Sequence, residues 1–184
     1  MLSRRIHPLL KRSFQFVSLG VMLIVTAQYI LVINTTRSFP LGIYLKTYSP
    51  IHWGDLVLMC PEDNEVSRFG RERGLISYGV CPNRFGYLIK RVEALDGDRV
   101  DFSEDIVRVN GLPLKNSSRQ QAIPARVDGA VELHHQALLM SEHPLSFDSR
   151  YFGPVSTDTL CTPLKPLYCM GVGIWPRRMI ITLG

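Results

Sequence analysis

The sequence has no acidic residue ahead of its one long apolar run, no CxxC pair among its cysteines, and no histidine in the segments around its most suggestive serine and lysine. The first absence splits the charge. Four of the 21 Lys and Arg, namely Arg4, Arg5, Lys11 and Arg12, precede the run, leaving seventeen against sixteen Asp and Glu, a balance of +1 after residue 33. A nucleic-acid-binding face needs clustered cations to neutralise phosphates, so this near-neutral remainder excludes nucleic acid as a partner. The second absence bears on metals. Structural zinc sites use closely spaced ligand pairs, and neither the four cysteines nor His134, His135 and His143 offer that spacing, so no metal and no cofactor is expected. No internal repeat or low-complexity tract is present, which excludes solenoid architectures.

What is present begins with Phe14 to Ile33, uncharged and broken only by Gln15, Ser18, Thr26 and Gln28 among polar side chains. About 20 helical residues cross a hydrocarbon layer roughly 30 Å thick. A cleaved signal peptide has a core of about 7 to 15 residues and a small-x-small exit, whereas Asn34-Thr35-Thr36-Arg37 follows here. A retained single-pass anchor over 14–33 is therefore expected. The positive-inside rule places the basic tail, 1–13, in the cytoplasm and a domain of about 150 residues, 34–184, outside it. In an oxidising compartment Cys60, Cys81, Cys161 and Cys169 allow two disulfides in three connectivities. Cys60-Pro61 and Cys81-Pro82 bracket a polar stretch and form the first candidate pair, which leaves Cys161 with Cys169.

The outer domain reads as mainly β. Leu56 to Met59, Tyr87 to Ala94, Arg99 to Phe102 and Ile106 to Val109 are apolar or alternating runs, and Asn110-Gly111 supplies the positive φ angles of a tight hairpin. Val131 to Leu133, Ala137 to Met140 and Leu167 to Ile174 are later strands. One short helix is expected between Pro61, which can start it, and Gly74, which can end it. The polar stretch Asn116 to Gln121 reads as a surface loop.

Two residues carry the chemistry. Ser38 lies five residues beyond the apolar run, within about 17 Å of its end even when extended, which sets it near a membrane surface. Lys90 lies in the apolar context Leu88-Ile89-Lys90-Arg91-Val92. A serine hydroxyl needs a base to become a nucleophile, and with no histidine in either motif a neutral lysine amine fills that role. Burial is the means of keeping it neutral, because removal from water penalises the ammonium form. The expected pair is a serine–lysine dyad.

A third block, Ser146-Phe147-Asp148-Ser149-Arg150-Tyr151, joins these motifs. Together with Pro40-Leu41-Gly42, Gly54-Asp55-Leu56-Val57 and Gly97-Asp98, in that order along most of the chain, the sequence resembles the type I signal peptidase superfamily, and more closely its conjugative-transfer (TraF-type) branch. The resemblance implies a β-rich catalytic domain with one or two short helices, Ser38 as nucleophile and Lys90 as general base. It implies that Ser146 orients the lysine amine, and that Thr36 supports an oxyanion held by the Ser38 N–H. It gives Asp148 a supporting or transfer role with Arg150, the alternative being a structural ion pair. It further implies a prepilin substrate of a conjugative secretion system, cleaved or cyclised, with secretion-channel subunits as further partners, and a bacterial inner membrane with the domain in the periplasm. The chain departs from leader peptidases in having Ser38-Phe39-Pro40 rather than Ser-Met-x-Pro, and in having Ser141-Glu142-His143-Pro144 where Gly-Asp-Asn often opens the last block. A general leader peptidase and a non-enzymatic assembly factor of the secretion channel are the competing readings.

Overall fold

In the computed structural model, which describes residues 8–103 and 105–170, helix α1 (Pro8–Ile30) passes without a linker into strand β1 (Leu31–Asn34). The segment Lys11–Ile30 has a mean hydropathy of 1.5 and none of it is buried, which makes α1 a candidate membrane span or signal sequence. Leu31 to Ile33, expected to be helical, are strand instead. Their branched and apolar side chains suit a pleated pairing as well as a helix, and the partner strand β2 (Leu41–Lys46) decides between them, with Leu31 opposite Leu45 and Asn34 opposite Gly42. Lys46 Nζ also donates to the Gln28 carbonyl at 3.0 Å, tying the end of β2 back to the last turn of α1.

Strand β3 (Leu56–Met59) is buried throughout and leads to helix α2 (Glu65–Glu72). The helix starts later than Pro61 because Asn64 is its cap, its side chain accepting from the Ser67 N–H at 2.9 Å. Gly74, at φ +73°, follows the last turn as expected. A disulfide joins Cys60 to Cys81 across a separation of 21 residues. Then come β4 (Leu88–Ala94), β5 (Arg99–Asp101), β6 (Arg108–Val109), β7 (Leu112–Pro113), β8 (Ala130–Glu132), β9 (Gln136–Met140), α3 (Ser149–Phe152), β10 (Val155–Ser156) and β11 (Leu160–Met170). Asn110 and Gly111 have φ of 50° and 81° and turn β6 into β7.

The strands form two antiparallel sheets, one of seven in the order β1-β2-β11-β3-β4-β9-β10 and one of four in the order β7-β6-β5-β8. One core packs Val57, Val92, Leu139, Phe147 and Tyr151 on one face of the large sheet. A second, with Phe39, Tyr44, Leu58, Ile89 and Leu164, lies on the opposite face, since the residues of β3 and β4 alternate between the two. A third, with Val100, Phe102, Val107 and Leu133, belongs to the small sheet.

Two expectations are corrected. Cys161 and Cys169 do not pair: they lie eight residues apart on the single strand β11, roughly 26 Å at the usual rise, against the 7 Å limit for Cα atoms of a disulfide, and Cys169 is a free thiol. The stretch 116–121 is not simply a surface loop, because Ser117 is buried, accepting from the Val107 N–H and donating to the Leu114 carbonyl. The end of the expected strand Leu167 to Ile174 lies outside the described residues beyond Met170.

Gly42 shows why the serine motif ends in glycine. A Cβ there would stand 2.1 Å from the Tyr168 carbonyl oxygen and 2.8 Å from the Cys169 Cα, both backbone atoms of the paired β11. Gly42→Ala should therefore destabilise the full-length protein by about 1–3 kcal/mol, the cost of overpacking, read as a lowered urea midpoint in detergent.

Candidate active site

Lys90 occupies the third position of β4, opposite Val57 of β3. Alternation puts it on the same face as Val92, so its side chain enters the core containing Val57, Leu139 and Phe147. It is 1% exposed. Its Nζ donates to Ser146 Oγ at 2.7 Å. Burial lowers its pKa from 10.5 to about 8, while nearby Asp148 pulls it up and Arg150 pushes it down. The two charges act in opposite senses, which leaves removal from water as the ruling cause.

Asp148 and Arg150 lie beside this pair, both fully buried. Arg150 Nε donates to Asp148 Oδ1 at 2.7 Å and Nη2 to Oδ2 at 2.9 Å. The remaining capacity is also filled. Arg150 Nη1 reaches the carbonyls of Asn116 at 2.8 Å, Pro144 at 2.9 Å and Ser118 at 3.2 Å, and Asp148 Oδ2 accepts from the Ser141 N–H at 3.1 Å. Asp148 also caps α3, accepting from the Arg150 N–H. A bidentate pair with its surrounding groups engaged in this way has the geometry of a buried structural ion pair.

Ser38 is half-buried in the turn between β1 and β2. Asn34 organises that turn: its Nδ2 donates to the carbonyls of Thr36 and Phe39 at 3.0 Å and Pro40 at 3.1 Å, and its Oδ1 accepts from the Thr36 N–H at 3.0 Å and hydroxyl at 2.8 Å. Tyr44 adds a bond from its hydroxyl to the Pro40 carbonyl at 2.6 Å. Phe39 is 6% exposed and packs in the same core as Ile89, so the residue after Ser38 and the residue before Lys90 share their surroundings. Arg91 places its guanidinium 6.0 Å from the centre of the Phe39 ring.

The structure thus brings Lys90 to Ser146 and sets Asp148 with Arg150 beside them. It joins Ser38 to this group through its main chain, Ser141 Oγ donating to the Ser38 carbonyl at 2.7 Å. No hydrogen bond links Ser38 directly to Lys90 among the described residues. The single hydroxyl proton of Thr36 goes to Asn34 Oδ1, so in this structure Thr36 helps shape the turn. A cleft of about 310 Å³ opens beside Ser141, lined also by Glu93, Leu114, Met140 and Glu142. No group of His, Cys, Asp and Glu suited to a metal occurs among the described residues.

The family model for signal peptidase, peptidase S26, matches residues 15–167, which span α1, the Ser38 turn, β4 and the Ser146 block. The chain belongs to the signal peptidase S26 family. Plasmid transfer protein TraF of Escherichia coli is 38% identical over 143 residues, covering 73% of this chain and 81% of that protein. Conjugal transfer protein TraF of Agrobacterium tumefaciens (strain 15955) is 34% identical over 176 residues, 91% of this chain and 98% of that one. The same name is carried by a protein of Agrobacterium fabrum, 36% identical over 144 residues, 74% of this chain and 81% of that one. Among solved structures, a signal peptidase I from Enterococcus faecalis V583 overlays 65% of this chain and all of that one at a TM-score of 0.38 and 16% identity, too loose a fit to add to the family match.

Within this signal peptidase, sequence reasoning passed over Asn34 and Ser141. Asn34 was the last residue before Thr35-Thr36 in a polar stretch, and an amide followed by tight-turn residues was the available clue, since Asn side chains bond their own backbone a few residues on. Ser141 stood out only as the start of the departing Ser141-Glu142-His143-Pro144 segment, and its partner is 103 residues away.

The lysine makes a stability prediction. A folded-state pKa of about 8 against an ordinary 10.5 means that the folded state gives up the proton first, so burial costs roughly 3 kcal/mol below pH 8 and that cost fades as pH rises towards 10.5. Lys90→Met should raise stability at pH 7 by about 1–3 kcal/mol over the parent, with the advantage shrinking by pH 10. Paired urea titrations at the two pH values measure it, and a destabilised Lys90→Met would contradict a lysine whose charged form is penalised by burial.

Proposed function

We propose that the protein is a membrane-anchored serine endopeptidase that processes a prepilin substrate of a conjugative plasmid transfer system with a Ser38/Lys90 dyad. The observation that carries this reading is the buried Lys90 amine, bonded to Ser146 and lowered to about pKa 8, a lysine suited to act as a base near neutral pH. The names of the relatives support the transfer system, and the apolar segment Lys11–Ile30, none of it buried, supports the anchor, with 1–13 in the cytoplasm and the catalytic domain on the periplasmic side of the inner membrane.

In this mechanism the neutral Lys90 takes the proton of the Ser38 hydroxyl as its oxygen attacks the scissile carbonyl carbon. The C–N bond breaks, the departing amine receives that proton from Lys90, and an acyl-enzyme forms on Ser38. The Ser38 N–H is the oxyanion donor. Ser146 holds the amine in its rotamer, its Oγ accepting a hydrogen bond from Lys90 Nζ. Catalytic hydrogen bonds are often long in a free enzyme and tighten on substrate, so the missing Ser38–Lys90 bond is compatible with these roles. Water attacking the acyl carbon releases a shortened chain, and an amine of the same substrate would release a cyclic one.

Ser38→Ala and Lys90→Met should each abolish prepilin processing in cells while the protein stays folded and inserted, and intact processing in both would overturn the dyad. The parent should lose kcat/KM about tenfold per pH unit below about pH 8 and level off above it, because the active amine is the deprotonated form. The mass of the product decides its fate: a pilin one water lighter than the cleaved linear chain marks cyclisation.

A further inference from the structure

The turn that carries Ser38 and the block that carries Lys90 are assembled separately. Asn34 and Tyr44, which fix the turn, both belong to the β1–β2 hairpin, so they set its internal shape and not its distance from β4 and β9. Packing of Phe39 against Ile89 brings the two parts together, but apolar contact is non-directional and tolerates sliding. Strand pairing through β11 and β3 aligns the hairpin with β4, and Ser141 adds a direct hydrogen bond from the end of β9 to the turn itself. Ser141 follows the last residue of β9, is 3% exposed, and has its own main chain held at both ends by the buried ion pair: its N–H donates to Asp148 Oδ2 at 3.1 Å and its carbonyl accepts from Arg150 Nη2 at 3.3 Å. The same brace contacts Lys90 electrostatically and borders Ser146. From this fixed point the Ser141 hydroxyl accepts from the His143 N–H at 3.2 Å and donates to the Ser38 carbonyl at 2.7 Å.

We propose that Ser141 is a positioning residue for acyl transfer: its hydroxyl fixes the Ser38–Phe39 peptide plane and so sets the Ser38 side chain in register with the Lys90–Ser146 pair. This rests on Ser38 and Lys90 being nucleophile and base. Holding the carbonyl of a residue fixes its ψ, and with the turn already clamped by Asn34 the direction of the Ser38 Cα–Cβ bond follows. The backbone bonds of Ser141 to Asp148 and Arg150 do not require the hydroxyl, so folding and positioning are separable at this residue. Losing the bond lets the serine oxygen drift relative to the base, and a misplacement of about 1 Å can cost on the order of 10² in rate.

The test uses the full-length protein in detergent with a prepilin that the parent cleaves. Ser141→Ala and Ser141→Gly should lower kcat by about 10- to 100-fold, with KM within about twofold and the acid limb still near pH 8, because the surroundings of Lys90 are intact. The thermal midpoint should shift by only a few degrees, and Ser141→Thr, which keeps the hydroxyl, should recover most of the loss. Ala and Gly variants with kcat within twofold of the parent, or with a loss that matches their unfolded fraction, would overturn the proposal. Ser38→Ala in the same assay separates the two readings: turnover there rejects the dyad itself, whereas an inactive Ser38→Ala beside a fully active Ser141→Ala rejects the positioning role alone.

Discussion

The Asp148–Arg150 ion pair is the constraint on which the rest of the site depends. Two charges in a dry interior are tolerable only when each is paired and its remaining hydrogen-bonding capacity is met, and here the guanidinium and carboxylate reach each other and the main chain of residues 116, 118, 141 and 144. Segments distant in sequence converge on one charge-balanced centre. That balance also governs the neighbouring lysine. A lone carboxylate at Asp148 would favour the charged form of Lys90 and a lone guanidinium would disfavour it; together they act in opposite senses, and burial is the larger cause.

The Ser38 turn solves a different problem. A tight turn leaves carbonyls facing inward without helix or sheet partners, and each would be costly if buried unpaired. One asparagine serves three of them, a tyrosine shares one, and a serine just past β9 takes the fourth. With the carbonyls occupied, the turn has little freedom to relax, so the Ser38 backbone is preorganised. Gly42 completes the arrangement by letting β11 approach β2 where a side chain would collide with it.

Local features were legible where their cause is local. Asn110-Gly111 announced its hairpin, the apolar strand around Lys90 announced a buried amine, and the Cys60 and Cys81 pair that was weighed first is the one the structure joins. The site's serine, lysine and acidic block were visible as separate motifs in order along the chain. What escaped was set by partners far away. Leu31 to Ile33 continue an apolar run that is equally good as helix or strand, and only pairing with β2 resolves it. Cys161 and Cys169 looked like a leftover pair until one long strand separated them. Asn34 and Ser141 are ordinary polar residues in sequence, and their importance comes from carbonyls that only the fold presents to them.

The joint between α1 and β1 has no hinge. A helix that becomes a paired strand at the next residue, with Lys46 fastened back onto the carbonyl of Gln28, behaves as one stiff lever. Bilayer thickness sets how far a spanning helix tilts. With α1 spanning, that tilt would be handed to the sheet carrying the Ser38 turn instead of being absorbed by a flexible stalk. Membrane composition would then act on the height and attitude of Ser38 above the lipid.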